Sequence, residues 1–186
     1  MDSPCVHEPP TPTADDVLIA RWRAGEADAF EQIFDRYRGR LTAYAWRMVR
    51  RRELAEELCL EAFTRVVAGA WKPTGSFRSF LFTVVHRLCL DTLKRNRRAT
   101  QAHLRLVGTP ETVSTPELQA SGNQQRAQLE RAIAELSADH RAVVLLYYGQ
   151  GLASREVATI LELEDHQVRS RLSYARKRLR TLMDPE

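Results

Sequence analysis

Apolar side chains recur along this chain at intervals of three and four, with no sustained alternation at intervals of two, so the pattern predicts helices throughout and no strand. Thr13 and Asp16 have the spacing of a capping box, which opens a short helix through Trp22 that Gly25 ends. Phe30, Ile33, Phe34, Tyr37, Leu41, Tyr44, Ala45 and Met48 then share one face of a longer helix, which runs up to Arg50, Arg51 and Arg52. A third helix near 53–70 gathers Leu58, Ala62, Phe63 and Val66 on one side. On another side it sets Glu53, Glu57 and Glu61 at i, i+4 and i+8. After a loop over 71–75 that contains Pro73, Ser76 caps a fourth helix through Phe77, Phe80, Leu81, Val84, Leu88 and Leu93. That helix ends in the basic cluster Lys94, Arg95, Arg97 and Arg98.

The pattern breaks over 99–123, where Pro110, Pro116 and several Ser and Thr surround a short apolar island at Leu104, Leu106 and Val107; this reads as a linker. Fully extended it reaches about 80 to 90 Å, more than two turns of B-DNA at roughly 70 Å. Periodicity returns at Gln124 with Leu129, Ile133 and Leu136, then Val143, Val144, Leu145 and Leu146. In the last segment Val157, Ala158 and Leu161 form an apolar face, Leu163 sits in a short turn, and Glu164 or Asp165 caps a helix that buries Val168 and Leu172. This is a helix-turn-helix pattern, with the small Ala158 where two helices approach. The fold class is therefore all-α: a disordered tail over 1–13, a helical domain over 14–98, a flexible linker over 99–123 and a helix-turn-helix domain over 124–186.

Charge sharpens this picture by position. The 28 Lys plus Arg against 24 Asp plus Glu leave a net charge of only +4, yet Arg169, Arg171, Arg176, Lys177, Arg178 and Arg180 stand in one stretch without an acid. Solvated helix faces usually mix both signs, so this run and the Lys94 to Arg98 cluster read as polyanion-binding surfaces. Arginine dominates, which suits bidentate contacts to phosphate and guanine. The acidic stripe on the third helix fits a basic protein partner, or is a solvated face. No run is apolar enough to cross a bilayer, and the first residues lack the pattern of a secretory signal, so a cytoplasmic location is expected.

Chemistry is scarce. The three cysteines, Cys5, Cys59 and Cys89, are scattered and form no disulfide framework or four-ligand zinc cluster. Cys59 and Cys89 fall on apolar helices as small core residues, while Cys5 and His7 sit in the tail as an unassigned pair. His7, His86, His103, His140 and His166 have no zincin spacing, the glycines form no phosphate loop, and no nucleophile elbow is present. No enzyme, no metal and no cofactor are expected.

Two blocks carry a resemblance. AFEQIFDRYRGRL, AEELCLEAFTRV and SFRSFLFTVVHRLCLDTLKR in the first half resemble bacterial sigma factors of the extracytoplasmic-function group, group 4 of the sigma-70 family. So does LSADHRAVVLLYYGQGLASREVATILELEDHQVRSRLSYARKRLR in the second half. The resemblance implies a sigma factor that binds core RNA polymerase through its clamp and flap, melts minus-10 promoter DNA with the first domain and reads minus-35 DNA with the second. It also implies an anti-sigma factor as a partner. Glu57 and Glu61 match the clamp-docking acids, with Leu60 in place of a usual glutamine. The loop from Trp71 to Phe77, including Lys72 and Ser76, matches one that holds an extruded base. Flipping costs a few kcal/mol and stacking returns about 1 to 3.

In the fourth helix Asp91, Lys94 and Arg95 match, with Phe80 for a common tryptophan and Arg87 for a common asparagine. The minus-35 set is His166, Gln167, Arg169, Ser170, Arg171, Tyr174, Arg176, Lys177 and Arg178. His166 stands where a small residue is usual, and Ala153 takes the place of a capping serine, a role that passes to Ser154. Two rival readings stand beside this one. The first is a helix-turn-helix regulator that binds an operator alone as a dimer; the second is an interaction module whose basic run is incidental.

Overall fold

The computed structural model describes residues 14–71, 76–107 and 124–183, and among these every regular element is helical. The order is α1 (Ala14–Arg23), α2 (Ala27–Val49), α3 (Arg52–Val67), α4 (Phe77–Val107), α5 (Gln124–Glu135), α6 (Ala138–Val144) with a wider π turn over Leu145–Gly149, α7 (Ser154–Leu161) and α8 (Asp165–Met183). Thr13, the Cys5 and His7 pair, Lys72 and 108–123 lie outside the described residues, so the capping box at Thr13 and most of the expected linker do too.

By its contacts the chain divides between Arg38 and Gly39, inside α2. In the first unit Asp15 and Asp16 begin α1 and Arg21 and Arg23 end it, which suits the helix dipole, and Gly25 turns the chain at φ 98°. Asp15 bonds both Arg36 and Tyr37 on the following helix, and Trp22 packs against Phe30 with ring centroids 5.1 Å apart.

The second unit holds the rest. The face expected on α2 is realised: Leu41, Tyr44, Ala45 and Met48 are buried one turn after another. α3 turns Ala55, Leu58, Cys59, Ala62, Phe63 and Val66 inward. α4 is a central helix, buried on more than one side at Leu81, Phe82, Val84, Val85, His86 and Cys89, and packs on both α3 and α7. Ser76 accepts the backbone N–H of Ser79 at 3.4 Å, as a cap should.

α4 runs on to Val107, through residues assigned by sequence to the linker. Ala99, Gln101, Ala102 and Leu104 are helix formers, and no glycine or proline interrupts them before Gly108. In the C-terminal segment Leu136, Val144 and Ala175 form a core cluster with Leu179 against it. Leu129, expected inside, stays 38 % exposed, while Gln128 beside it is half-buried and donates to the Met183 carbonyl at 2.7 Å. On α7, Val157, Ala158 and Ile160 are the buried set, and Leu161 is only half-buried.

Candidate nucleic-acid interface

The helix-turn-helix is assembled by local bonds. Glu162 ends α7 in the left-handed region at φ 55°, and Leu163 N–H donates to the Ala158 carbonyl at 2.9 Å, which reverses the chain in a few residues. Glu164 is the N-cap of α8, and Gln167 returns its Oε1 to the Glu164 N–H at 2.9 Å. Ser154 does not cap α7. The cap position is Ala153, whose N–H is taken by the Glu156 carboxylate at 2.9 Å, and this frees the Ser154 hydroxyl to donate to Asp165 Oδ1 at 2.5 Å. The other oxygen of Asp165 pairs with Arg169 at 2.5 Å. Val168, Leu172 and Ala175 anchor α8 in the core.

That anchoring turns the expected reading residues outward. His166, Gln167, Arg169, Ser170, Arg176, Lys177 and Arg178 are exposed, and Arg171 is half-buried. Arg169 and Arg171 project about 160° apart around the helix axis, so only one of them can face any single groove. His166, Ser170 and Lys177 share the outermost line, opposite the buried residues, and Arg169 stands about a quarter turn away from it on the flank of the helix. Tyr174 is exposed but leans on α6, stacked on His140 with ring centroids 4.5 Å apart, and His140 is in turn bonded to Ser137 at 2.8 Å.

On α4, Arg87, Asp91, Lys94 and Arg95 are exposed, the first three on one stripe of the helix. Ser76 is exposed at its start and Phe80 is half-buried. Phe77, expected among the base contacts, is 2 % exposed here and meets Trp71 edge-on at 5.3 Å, in the core at the first turn of α4. Trp71 is buried as well. Below the stripe, Tyr44 and His86 share a buried hydrogen bond of 2.8 Å. Burial drives the imidazole pKa down to about 4, so it is neutral at pH 7. Burial also pushes the Cys89 thiol up to about 12, which makes it chemically inert.

The α3 ridge is a different kind of surface. Glu57, Leu60 and Glu61 are exposed together, Leu60 at 54 %. Val67, two turns beyond Leu60, is 61 % exposed and was not singled out from sequence; its neighbourhood is legible only as an apolar residue on the acidic side of the helix. Glu61 bonds Arg65 at 2.9 Å and Glu56 bonds Arg52 at 3.4 Å, both one turn away. An acidic ridge with an apolar centre suits a basic, partly apolar protein surface rather than a phosphate backbone.

Sequence reasoning missed the long-range pairs altogether. Arg47 grips both oxygens of Glu130 at 2.7 to 3.2 Å, Arg78 reaches Glu156 at 2.5 Å, and Arg87 is bonded to Glu162. Burial alone would raise the Glu156 carboxyl pKa, but the bonds from Arg78 and the Ala153 N–H bring it below the ordinary value. The Arg87 hydrogen bond likewise lowers that of Glu162. Among the described residues no group of His, Cys, Asp and Glu is placed to hold a metal ion, and no helix is long and apolar enough to cross a membrane.

Comparison with known proteins matches both halves. Residues 33–99 match the family described as Sigma-70 region 2 and residues 126–179 that described as Sigma-70, region 4. The chain is 31% identical over 168 residues to the ECF RNA polymerase sigma factor SigL of Mycobacterium tuberculosis, covering 84% of this chain and 90% of that one. It is 29% identical over 170 residues to the RNA polymerase sigma factor CarQ of Myxococcus xanthus, covering 89% and 95%. Among solved structures, CnrH in complex with the cytosolic domain of CnrY has a similar fold, with TM-score 0.70, 24% identity and coverage of 94% and 99%. So does the sigma factor RpoE in complex with the anti-sigma factor NepR from Bartonella quintana, with TM-score 0.67, 23% identity and coverage of 84% and 98%.

Proposed function

We propose, because the chain belongs to the extracytoplasmic-function branch of the sigma-70 family and is a sigma factor directing transcription initiation, a division of labour among three of its surfaces. α8 reads minus-35 DNA in the major groove, with Arg169 toward base edges and Lys177 and Arg178 on phosphates. The Arg87, Asp91 and Lys94 stripe of α4, with Arg95 beside it and Ser76 and Lys72 at the preceding loop, captures the minus-10 strand. Glu57, Leu60 and Glu61 dock on the clamp of core polymerase, and the helix-turn-helix domain meets its flap. The protein acts in the cytoplasm as a non-enzymatic specificity subunit of the group 4 kind, and an anti-sigma factor is its regulatory partner.

The observation that carries this reading is the outward surface of α8, where exposed His166 and Lys177 stand opposite Val168, Leu172 and Ala175 with exposed arginines on the flanks, in a helix-turn-helix. Run-off transcription with purified core polymerase and promoter fragments tests it. Initiation from discrete sites only when this protein is added is expected. Tight binding to a palindromic operator without polymerase would overturn the reading in favour of a stand-alone dimeric regulator.

A further inference from the structure

We propose that Asp165 is a positioning residue for minus-35 recognition: its carboxylate, braced from α7 by Ser154, holds Arg169 in one orientation and so makes it selective for a single guanine. This rests on the reading of α8 given above.

Asp165 is the one acid in α8, on a helix whose other charges are all basic. A carboxylate beside phosphate weakens the hold on DNA, so its presence there calls for a use. One use is plain: Asp165 begins the helix, where negative charge meets the positive end of the dipole. A solvated carboxylate would serve that purpose without any bond of its own. Asp165 is instead only 31 % exposed, and both of its oxygens are engaged, Oδ1 by the Ser154 hydroxyl at 2.5 Å and Oδ2 by Nη2 of Arg169 at 2.5 Å.

The brace sets this pair apart from the others one turn apart on a helix. Arg52 with Glu56 and Arg65 with Glu61 are exposed in both members, and such pairs hold long side chains only loosely. Asp165 has a short side chain fixed by a bond to a second helix, so Arg169 pairs with an anchored point. Ser154 is available for this because Ala153 takes the cap position of α7 and the Glu156 carboxylate takes the Ala153 N–H.

Arg169 itself is 68 % exposed and lies one turn beyond Asp165 on the same flank. The pair uses one nitrogen of a group that carries five N–H donors, so a fork remains for O6 and N7 of guanine. A free arginine swings between a base edge and the nearest phosphate and loses its rotamer freedom on binding. A held one has given up that freedom beforehand. Asp165 thus sets selectivity more than strength.

The test is run-off transcription by core polymerase with the full-length protein, on one promoter whose minus-35 positions are each varied through the four bases. R169A is expected to abolish a preference for guanine at one position, a preference of roughly 5- to 150-fold. D165N keeps an acceptor for Ser154 and removes the charge that holds Arg169. It is expected to lower the preference at that same position about three- to tenfold, with output from the other three bases there unchanged or raised, because a negative charge near DNA is gone. S154A loosens the brace while keeping the charge and is expected to relax the same position by less. In the R169A background D165N should change nothing there, since the side chain it acts through is already absent. A merely structural loss lowers all promoters alike, and circular dichroism of each variant reports it; S154A decides if D165N loses helix. An unchanged guanine preference, or a D165N effect as large in the R169A background, overturns the proposal and leaves the reading of α8 standing. R169A without a position-specific effect overturns that reading, and the proposal with it.

Discussion

Replacing Arg141 with alanine is expected to destabilise the protein by about 3 kcal/mol. Its half-buried guanidinium donates to the carbonyls of Ile133 at 3.2 Å, Ala134 at 2.5 Å, Leu136 at 2.9 Å and Met48 at 3.0 Å, so one side chain caps the C-terminal ends of both α5 and α2. A hydrogen bond from a charged donor contributes about 1.5 to 3 kcal/mol, and four would sum far beyond what a single substitution costs. Two opposing effects reduce the sum: burial of the guanidinium lowers its pKa, and the neighbouring Arg50 repels it. What remains is the penalty for stranding carbonyls at two helix ends, and losses of about 3 to 5 kcal/mol are usual when a buried charge network is broken.

For a chain of this length that corresponds to a fall in melting temperature of about 6 to 12 °C. Urea and thermal unfolding followed by circular dichroism measure it, with Arg176→Ala on the open face of α8 as a control expected to stay within about 0.5 kcal/mol. Arg141→Lys keeps the charge without the fork and should fall between the two. A loss below about 1 kcal/mol for R141A would show that water satisfies these carbonyls equally well and would refute the reasoning.

Other outcomes follow from the same geometry. His86 is held neutral with a folded pKa of about 4 against 6.5 when unfolded, so the unfolded chain binds the extra proton between those values. Stability should be full above pH 6.5 and fall by about 3 kcal/mol as the pH drops toward 4, and His86→Gln should flatten that part of a melting-temperature profile; an equal slope in the variant would assign the acid lability elsewhere. Glu57→Lys with Glu61→Lys should abolish core-polymerase binding in a pull-down while leaving helical content intact, whereas retained binding would remove the α3 ridge from the interface. Arg169→Ala should relax preference at one minus-35 position by about 1 to 3 kcal/mol, while Lys177→Ala should weaken all promoters alike and lower the salt slope by about one phosphate contact. Position-specific effects from Lys177 with uniform loss from Arg169 would mean that α8 is oriented differently.

The helices and their inward faces were legible in the sequence because each follows from spacing within one segment. Leu41 to Met48, Leu58 to Val66 and Val168 to Leu172 had to be buried wherever the segments went. The outward position of His166 and Lys177 followed from the same periodicity, since a helix with one apolar face leaves the opposite face to solvent.

Tertiary structure decided what periodicity leaves undetermined. Phe77 and Phe80 look alike in sequence, yet Trp71 lies against Phe77 and takes it into the core, while Phe80 keeps part of its surface. Arg87 reads as one more exposed cation until Glu162, distant in sequence, is brought beside it. Arg141 stands between His140 and Ala142 on a short helix, and only the meeting of two helix ends, each with carbonyls left over, explains what that charge does at that place. Local sequence sets which face of a helix is apolar; which polar groups of one helix answer those of another depends on where the chain returns, and no pattern within a single segment contains that information.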